Sequence, residues 1–155
     1  MCIRDRNEEQ KFFKLLRYSN ELKINNKYLD NEDPEAFDTL LNFLVIIENN
    51  LHYSEKQEYI KLTKDFLADQ ITADNFSYSF IAVYEGINDK LYQMQIEESL
   101  ELANFLKCRR RKLGKLLSLV YGSCDSYSPD PDITMADETE LKHYAQILLV
   151  KLQEQ

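Results

Sequence analysis

Apolar residues return at steps of three and four along nearly the whole chain, from Phe12 to Leu152, and nowhere settle into the two-residue alternation of a strand. That periodicity constrains the fold more than any other feature, because a stripe with helical spacing can be buried on one side only if the backbone is helical. No turn dipeptide stands between strand-like runs, so hairpins are not signalled either. The expectation is an all-α fold, an antiparallel helical bundle of about six helices joined by short turns.

The first helix begins at Asn7 with Glu8 and Glu9 in its first turn, turns Phe12, Leu15, Leu16, Ser19 and Leu22 inward, and ends near Ile24. After a polar connector at Asp30-Asn31-Glu32-Asp33, Asp33 as N-cap and Pro34 at the first helical position start a second helix with Phe37, Leu40, Leu41, Leu44, Ile47 and Leu51 on its apolar face. Its Val45, Ile46 and Ile47 make it apolar nearly all round, which calls for cover on more than one side. Ser54-Glu55-Lys56-Gln57 reads as a capping box for a third helix, with Tyr59, Leu62, Phe66 and Leu67 inward.

Thr72 can cap the fourth helix, whose stripe is Phe76, Phe80, Val83, Ile87, Leu91 and Met94, with a break expected at Gly86-Ile87-Asn88-Asp89 because Gly costs a helix about 1 kcal/mol relative to Ala. The fifth runs from about Ser99 to Tyr121 over Leu102, Leu106, Leu113, Leu117 and Val120. Asp137 and Glu140 open the last helix, with Leu141, Ala145, Leu148 and Leu152 inward.

At 155 residues the chain is long enough to bury a core without metals or disulfides, and its longest apolar run, Leu41 to Ile47 with Asn42 inside it, is far too short to span a bilayer. Cys2, Cys108 and Cys124 form no CxxC or CxxH pair, so neither a zinc site nor a disulfide framework is indicated, and a reducing compartment, the cytoplasm, fits. His52 and His143 stand alone, and Gly86, Gly114 and Gly122 are too far apart for a phosphate loop. These observations supply no catalytic residue, no metal ligand set and no cofactor site, and the chain reads as a non-enzyme.

A net charge of -8 with an isoelectric point near 4.8 argues against a general affinity for nucleic acid and favours a basic protein partner. The one basic run, Lys107, Arg109, Arg110, Arg111, Lys112 and Lys115, reads first as the solvated face of the fifth helix, with Arg109 partly buried by its stem. The segment after it is the opposite. From Gly122 to Asp132 the chain reads as a stiff connector held by Pro129 and Pro131, and Asp125, Asp130, Asp132, Asp137, Glu138 and Glu140 follow one another with no Lys or Arg until Lys142. Tyr127 lies inside it, and Tyr78, Tyr84, Tyr92 and Tyr121 are further aromatic residues that interfaces use.

Three stretches together, Tyr59 to Leu67 with Ile71-Thr72-Ala73-Asp74-Asn75-Phe76, then Asp125-Ser126-Tyr127-Ser128-Pro129-Asp130-Pro131, then Glu140-Leu141, resemble the colicin D immunity-like small helical proteins. The resemblance covers residues 54–155. It implies a four-helix immunity-like core in the C-terminal two thirds, no enzyme activity, and a cognate tRNA-cleaving toxin as partner, its active site blocked by acidic side chains standing in for RNA phosphates. The partner-binding residues it implies are Asp125, Tyr127, Asp130, Asp132 and Asp137.

The expected division is a non-native leader over 1–6, which has no apolar core for a signal peptide, an N-terminal helical pair over 7–51 and the four-helix bundle over 52–155. One compact domain over 7–155 is the alternative. The competing function is an adaptor or assembly subunit without a toxin, in an AT-rich bacterium or a plastid-like organelle, in which case the stroma replaces the cytoplasm. That reading draws on the abundance of Lys, Asn, Ile, Tyr and Phe and on the apolar second helix.

Overall fold

A computed structural model describes residues 6–106, 111–128, 130, 132 and 136–154. The fold is all-α. In chain order come α1 (Arg6–Ile24), α2 (Leu29–Glu32), α3 (Pro34–Ser54), α4 (Lys56–Leu67), α5 (Ala73–Ile96), a 3-10 helix (Leu100–Phe105), α6 (Arg111–Ser126) and α7 (Glu138–Glu154). No strand occurs among the described residues; the one β-type contact is a single parallel backbone bridge between Tyr127 and Ala136.

Three expected caps are present. The Ala36 N–H donates to Asp33 Oδ1 (3.1 Å), the Asn75 N–H to Thr72 Oγ1 (3.1 Å) and the Glu140 N–H to Asp137 Oδ1 (2.8 Å), each satisfying an orphan donor of a first turn. The helix expected to follow a cap at Ser54 starts one residue later than its spacing predicts. Leu51 and His52 are buried, so α3 continues through Ser54, and α4 starts from Glu55, which makes no side-chain cap bond.

Gly86 does not break α5, which runs unbroken over Ala73–Ile96, because burial of Ile87, Leu91 and Met94 outweighs the cost of one glycine. The polar connector before α3 contains the short α2, which buries Leu29. The expected fifth helix is two elements, the 3-10 helix and α6, and residues 107–110 between them lie outside the described residues. So does the basic run, apart from Lys115, which is exposed; the positions of Arg111 and Lys112 in α6 are described but their side chains are not.

Three helices are followed by a left-handed residue that is not glycine. Asn26 (φ 58°), Asp69 (φ 57°) and Glu98 (φ 51°) take the left-handed conformation after α1, α4 and α5. At each, the following N–H reaches back to a carbonyl of the last turn: Lys27 to Leu22 (2.9 Å), Gln70 to Asp65 (2.8 Å) and Ser99 to Met94 (2.9 Å).

The chain divides into two compact units, the first of Met1–Leu51 with Asn88–Arg110 and the second of His52–Ile87 with Arg111–Gln155, the divisions falling within α3 and α5. In the first, Phe12 meets Phe13 and Phe43 edge-on at 5.1 and 5.7 Å. Polar ties accompany that contact. Asn20 Nδ2 donates to the Gln95 carbonyl (2.9 Å) and Asn50 Nδ2 to the Phe105 carbonyl (2.6 Å), both carbonyls at helix ends, and Arg17 Nε pairs with Glu98 Oε1 (3.3 Å).

In the second unit α7 packs against α4 and α6 through Leu141, Ala145, Leu148 and Leu152, all buried as their spacing predicts. Aromatic rings run through it in a ladder: Phe66 on Phe76 (4.4 Å), Phe76 on Phe80 (5.8 Å), Phe80 on Tyr84 (6.4 Å), and Tyr84 on both His52 and Tyr121 (4.5 Å each). Lys142 joins α7 to the end of α4, its Nζ 2.6 Å from Asp69 and 5.7 Å from the centre of the Phe66 ring.

Candidate functional site

The acidic segment starts within a helix. The stripe of Leu113, Leu117, Val120 and Cys124 continues at steps of three and four beyond Tyr121, so α6 passes through Gly122 and ends at Ser126. A Cβ at Gly122 would meet no neighbouring atom, so packing does not call for a glycine there and the buried stripe alone carries the helix past it. The stiff connector expected from Gly122 onward is therefore helical over its first residues. Asp125 stands in the last turn of α6, where the negative end of the helix dipole disfavours a carboxylate.

Tyr127 is half-buried, held by its backbone bridge to Ala136. Burial, and then the carboxylates of Asp74 and Glu138, push its phenol pKa up. Asp130 and Asp132 are exposed: the Asp130 N–H donates to Ser128 Oγ (3.2 Å) and the Asp132 N–H to Asp130 Oδ1 (2.9 Å), a local turn that leaves the Asp132 carboxylate to solvent. Asp137 is exposed and carries the α7 cap. The prolines expected to stiffen this stretch, Pro129 and Pro131, lie outside the described residues.

Among the described residues, no Lys or Arg lies within ion-pair distance of Asp125, Asp130, Asp132 or Asp137. Lys142, the next cation in the chain after these aspartates, is committed to Asp69 (2.6 Å) and, at 3.7 Å, to Glu138. Its hydrogen bond to Asp69 raises its pKa despite some desolvation, so it stays charged.

Sequence reasoning missed two carboxylates that the fold adds, Asp74 and Glu85, and did not show that Glu138 of the acidic run meets Tyr127. Asp74 and Glu138 come up to Tyr127, and Glu85 accepts a 2.7 Å hydrogen bond from the Tyr121 hydroxyl. That bond, with burial and the charges of Glu85 and Asp125, pushes the Tyr121 pKa up to about 12. The signal was weak but present, for Asp74, Tyr78 and Glu85 lie at four- and seven-residue steps along α5, and Tyr78 is 79% exposed.

Residues 55–152 match the family described as bacterial self-protective colicin-like immunity. The chain belongs to that family. No curated protein and no solved structure matches it. The immunity-family segment contains α4, most of α7, and every residue of the acidic surface described above, whereas α1, α2 and α3 precede it.

His52 is buried with Nδ1 2.7 Å from the Tyr59 hydroxyl, and His143 is exposed on α7 with its ring near Tyr144. Among the described residues no three His, Cys, Asp or Glu side chains are grouped to hold a metal ion, and no helix is long and apolar enough to cross a membrane. Burial raises the Cys124 thiol pKa to about 12 and makes it inert packing rather than a nucleophile. Cys2 and Cys108 lie outside the described residues. The premise of the adaptor reading survives in part: Ile47 is fully buried and Ile46 half-buried, but Leu41 and Val45 are 44% and 41% exposed.

Proposed function

We propose that this protein is a non-enzymatic, cytoplasmic immunity protein that binds a basic RNase toxin domain through the acidic surface of its second unit. Asp125, Asp130, Asp132 and Asp137, with Tyr127 among them, are the contacts. The observation that carries the reading is a set of unneutralised aspartates within the immunity-family segment. Like charges left unpaired cost stability unless a partner uses them, and Asp125 at a helix C-terminus adds to that cost. The toxin presents Lys and Arg side chains that otherwise hold RNA phosphates, so occupation of its active site by carboxylates blocks the nuclease.

The test is binding to, and protection against, a cognate toxin nuclease domain, measured by calorimetry at low and high salt and by survival of cells producing the toxin. Affinity should fall with salt, since exposed charges are screened over about 8 Å at physiological ionic strength. Asp130→Lys with Asp132→Lys should lower affinity by at least about tenfold, two reversed charges at such a rim each contributing on the order of 1 kcal/mol. Unchanged affinity in that double variant would refute the acidic-surface reading.

A further inference from the structure

His52, Tyr84 and Tyr121 form a three-ring stack, with centroids 4.5 Å apart at both steps and planes tilted by 26° and 24°. The inner end is buried: His52 is 1% exposed and bonded to Tyr59. Tyr121 is the outer end, half-exposed, and among the described residues no second ring and no cation lies against it. Its hydroxyl donates to Glu85 Oε1 at 2.7 Å, which fixes that carboxylate at the ring edge and leaves Oε2 without a donor among the described residues. Asp125, one turn further along α6, adds a second carboxylate with no ion-pair partner among the described residues.

We infer that the outer face of Tyr121, with Glu85 and Asp125, is a subsite that accepts an arginine side chain of the partner. The inference rests on the acidic-surface reading and adds which basic residue that surface selects. A guanidinium is flat, so it stacks on a tyrosine face, and its N–H donors point outward in its own plane toward carboxylates placed at the ring edge. A lysine ammonium is a compact, strongly hydrated charge that can satisfy the carboxylates but not the stacked face in the same pose. The geometry is in place before binding: Tyr84 backs the Tyr121 ring and the hydroxyl holds Glu85, which lowers the ordering cost of the contact. An acidic surface alone would not discriminate between the two cations; the stacked ring makes the difference.

The probes are oligoarginine and oligolysine peptides of equal length, titrated into the full chain while the Tyr121 ring protons are followed by NMR. Oligoarginine should bind about two- to fivefold more tightly, the range an exposed guanidinium–ring contact gives, and should shift the Tyr121 ring signals where oligolysine does not. Tyr121→Leu should reduce the ratio to one. Tyr121→Phe keeps the ring and should retain part of the preference, and Glu85→Gln, at an exposed position where the fold is not at stake, should reduce it. Asp130→Asn with Asp132→Asn should weaken both peptides alike and leave the ratio intact.

Equal affinities in the unaltered chain, or a preference that persists in both Tyr121→Leu and Glu85→Gln, overturns the subsite. The acidic-surface reading is decided separately, by the toxin-domain measurement with Asp130→Lys and Asp132→Lys.

Discussion

The two units hold their helices together by different chemistry. In the first, Asn20 and Asn50 donate across to carbonyls at helix ends and Arg17 meets Glu98, while Ile24, Tyr28, Leu41, Val45, Ile96 and Leu100 remain exposed. In the second, five aromatic residues from Phe66 to Tyr121 stack in series, with His52 against the fourth. Stacked rings remove much apolar surface from water and hold fixed orientations, so the second unit can display unpaired carboxylates and still retain a rigid frame. The immunity-family match falls largely on that unit, where rigidity and displayed charge coincide.

The largest effect that would sharpen this contrast is chemical. With its pKa raised to about 12, Cys124 should be alkylated at pH 8 at least about a hundredfold more slowly in the native protein than in urea, as peptide mapping would read. Equal rates would mean that the interior of the second unit is open to solvent. The same shift fixes the sign of a pH effect. A thiol whose folded pKa lies above its unfolded value contributes stability fully below the unfolded pKa, and loses it as pH rises from about 9 toward 12.

Phe80→Ala should cost about 3–5 kcal/mol in urea denaturation, because it leaves a cavity in the middle of the ladder. A loss below about 1 kcal/mol would remove the ladder as the source of cohesion. Asn50→Ala should cost about 1–3 kcal/mol, since the Phe105 carbonyl loses the Asn50 donor, and a neutral result would show that polar ties do not hold the first unit.

Asp125→Asn should raise stability by about 0.3–1 kcal/mol through relief of the helix C-terminus, while weakening the complex with the proposed toxin partner. A variant that lost stability would place Asp125 in the frame rather than on the display. The smallest effect is Leu100→Ser in the first unit, 78% exposed, which should change stability by less than about 0.5 kcal/mol by thermal denaturation.

Much of the helical order was legible because buried stripes on a helix are written directly in residue spacing. Phe12, Leu16 and Ser19, or Leu141, Ala145, Leu148 and Leu152, are buried as expected. Boundaries failed where a local preference met burial. Gly86 and Gly122 suggested breaks, yet neighbours on the stripe kept the helix intact, and Ser54 suggested a start but remained inside α3. The three left-handed helix ends at Asn26, Asp69 and Glu98 gave no glycine to read.

Of the candidate surface, the aspartates after Tyr121 were visible as charge, because a run without Lys or Arg is a property of the linear chain. The sequence by itself thus determined an all-α chain, its main stripes, and an acidic segment within the immunity-family region. Only the tertiary structure decided that Glu85 meets Tyr121, that Asp74 and Glu138 come up to Tyr127, and that His52, Tyr84 and Tyr121 align in one stack. Those contacts join residues on different helices, and residue spacing fixes the face of a helix but not which face of another it meets.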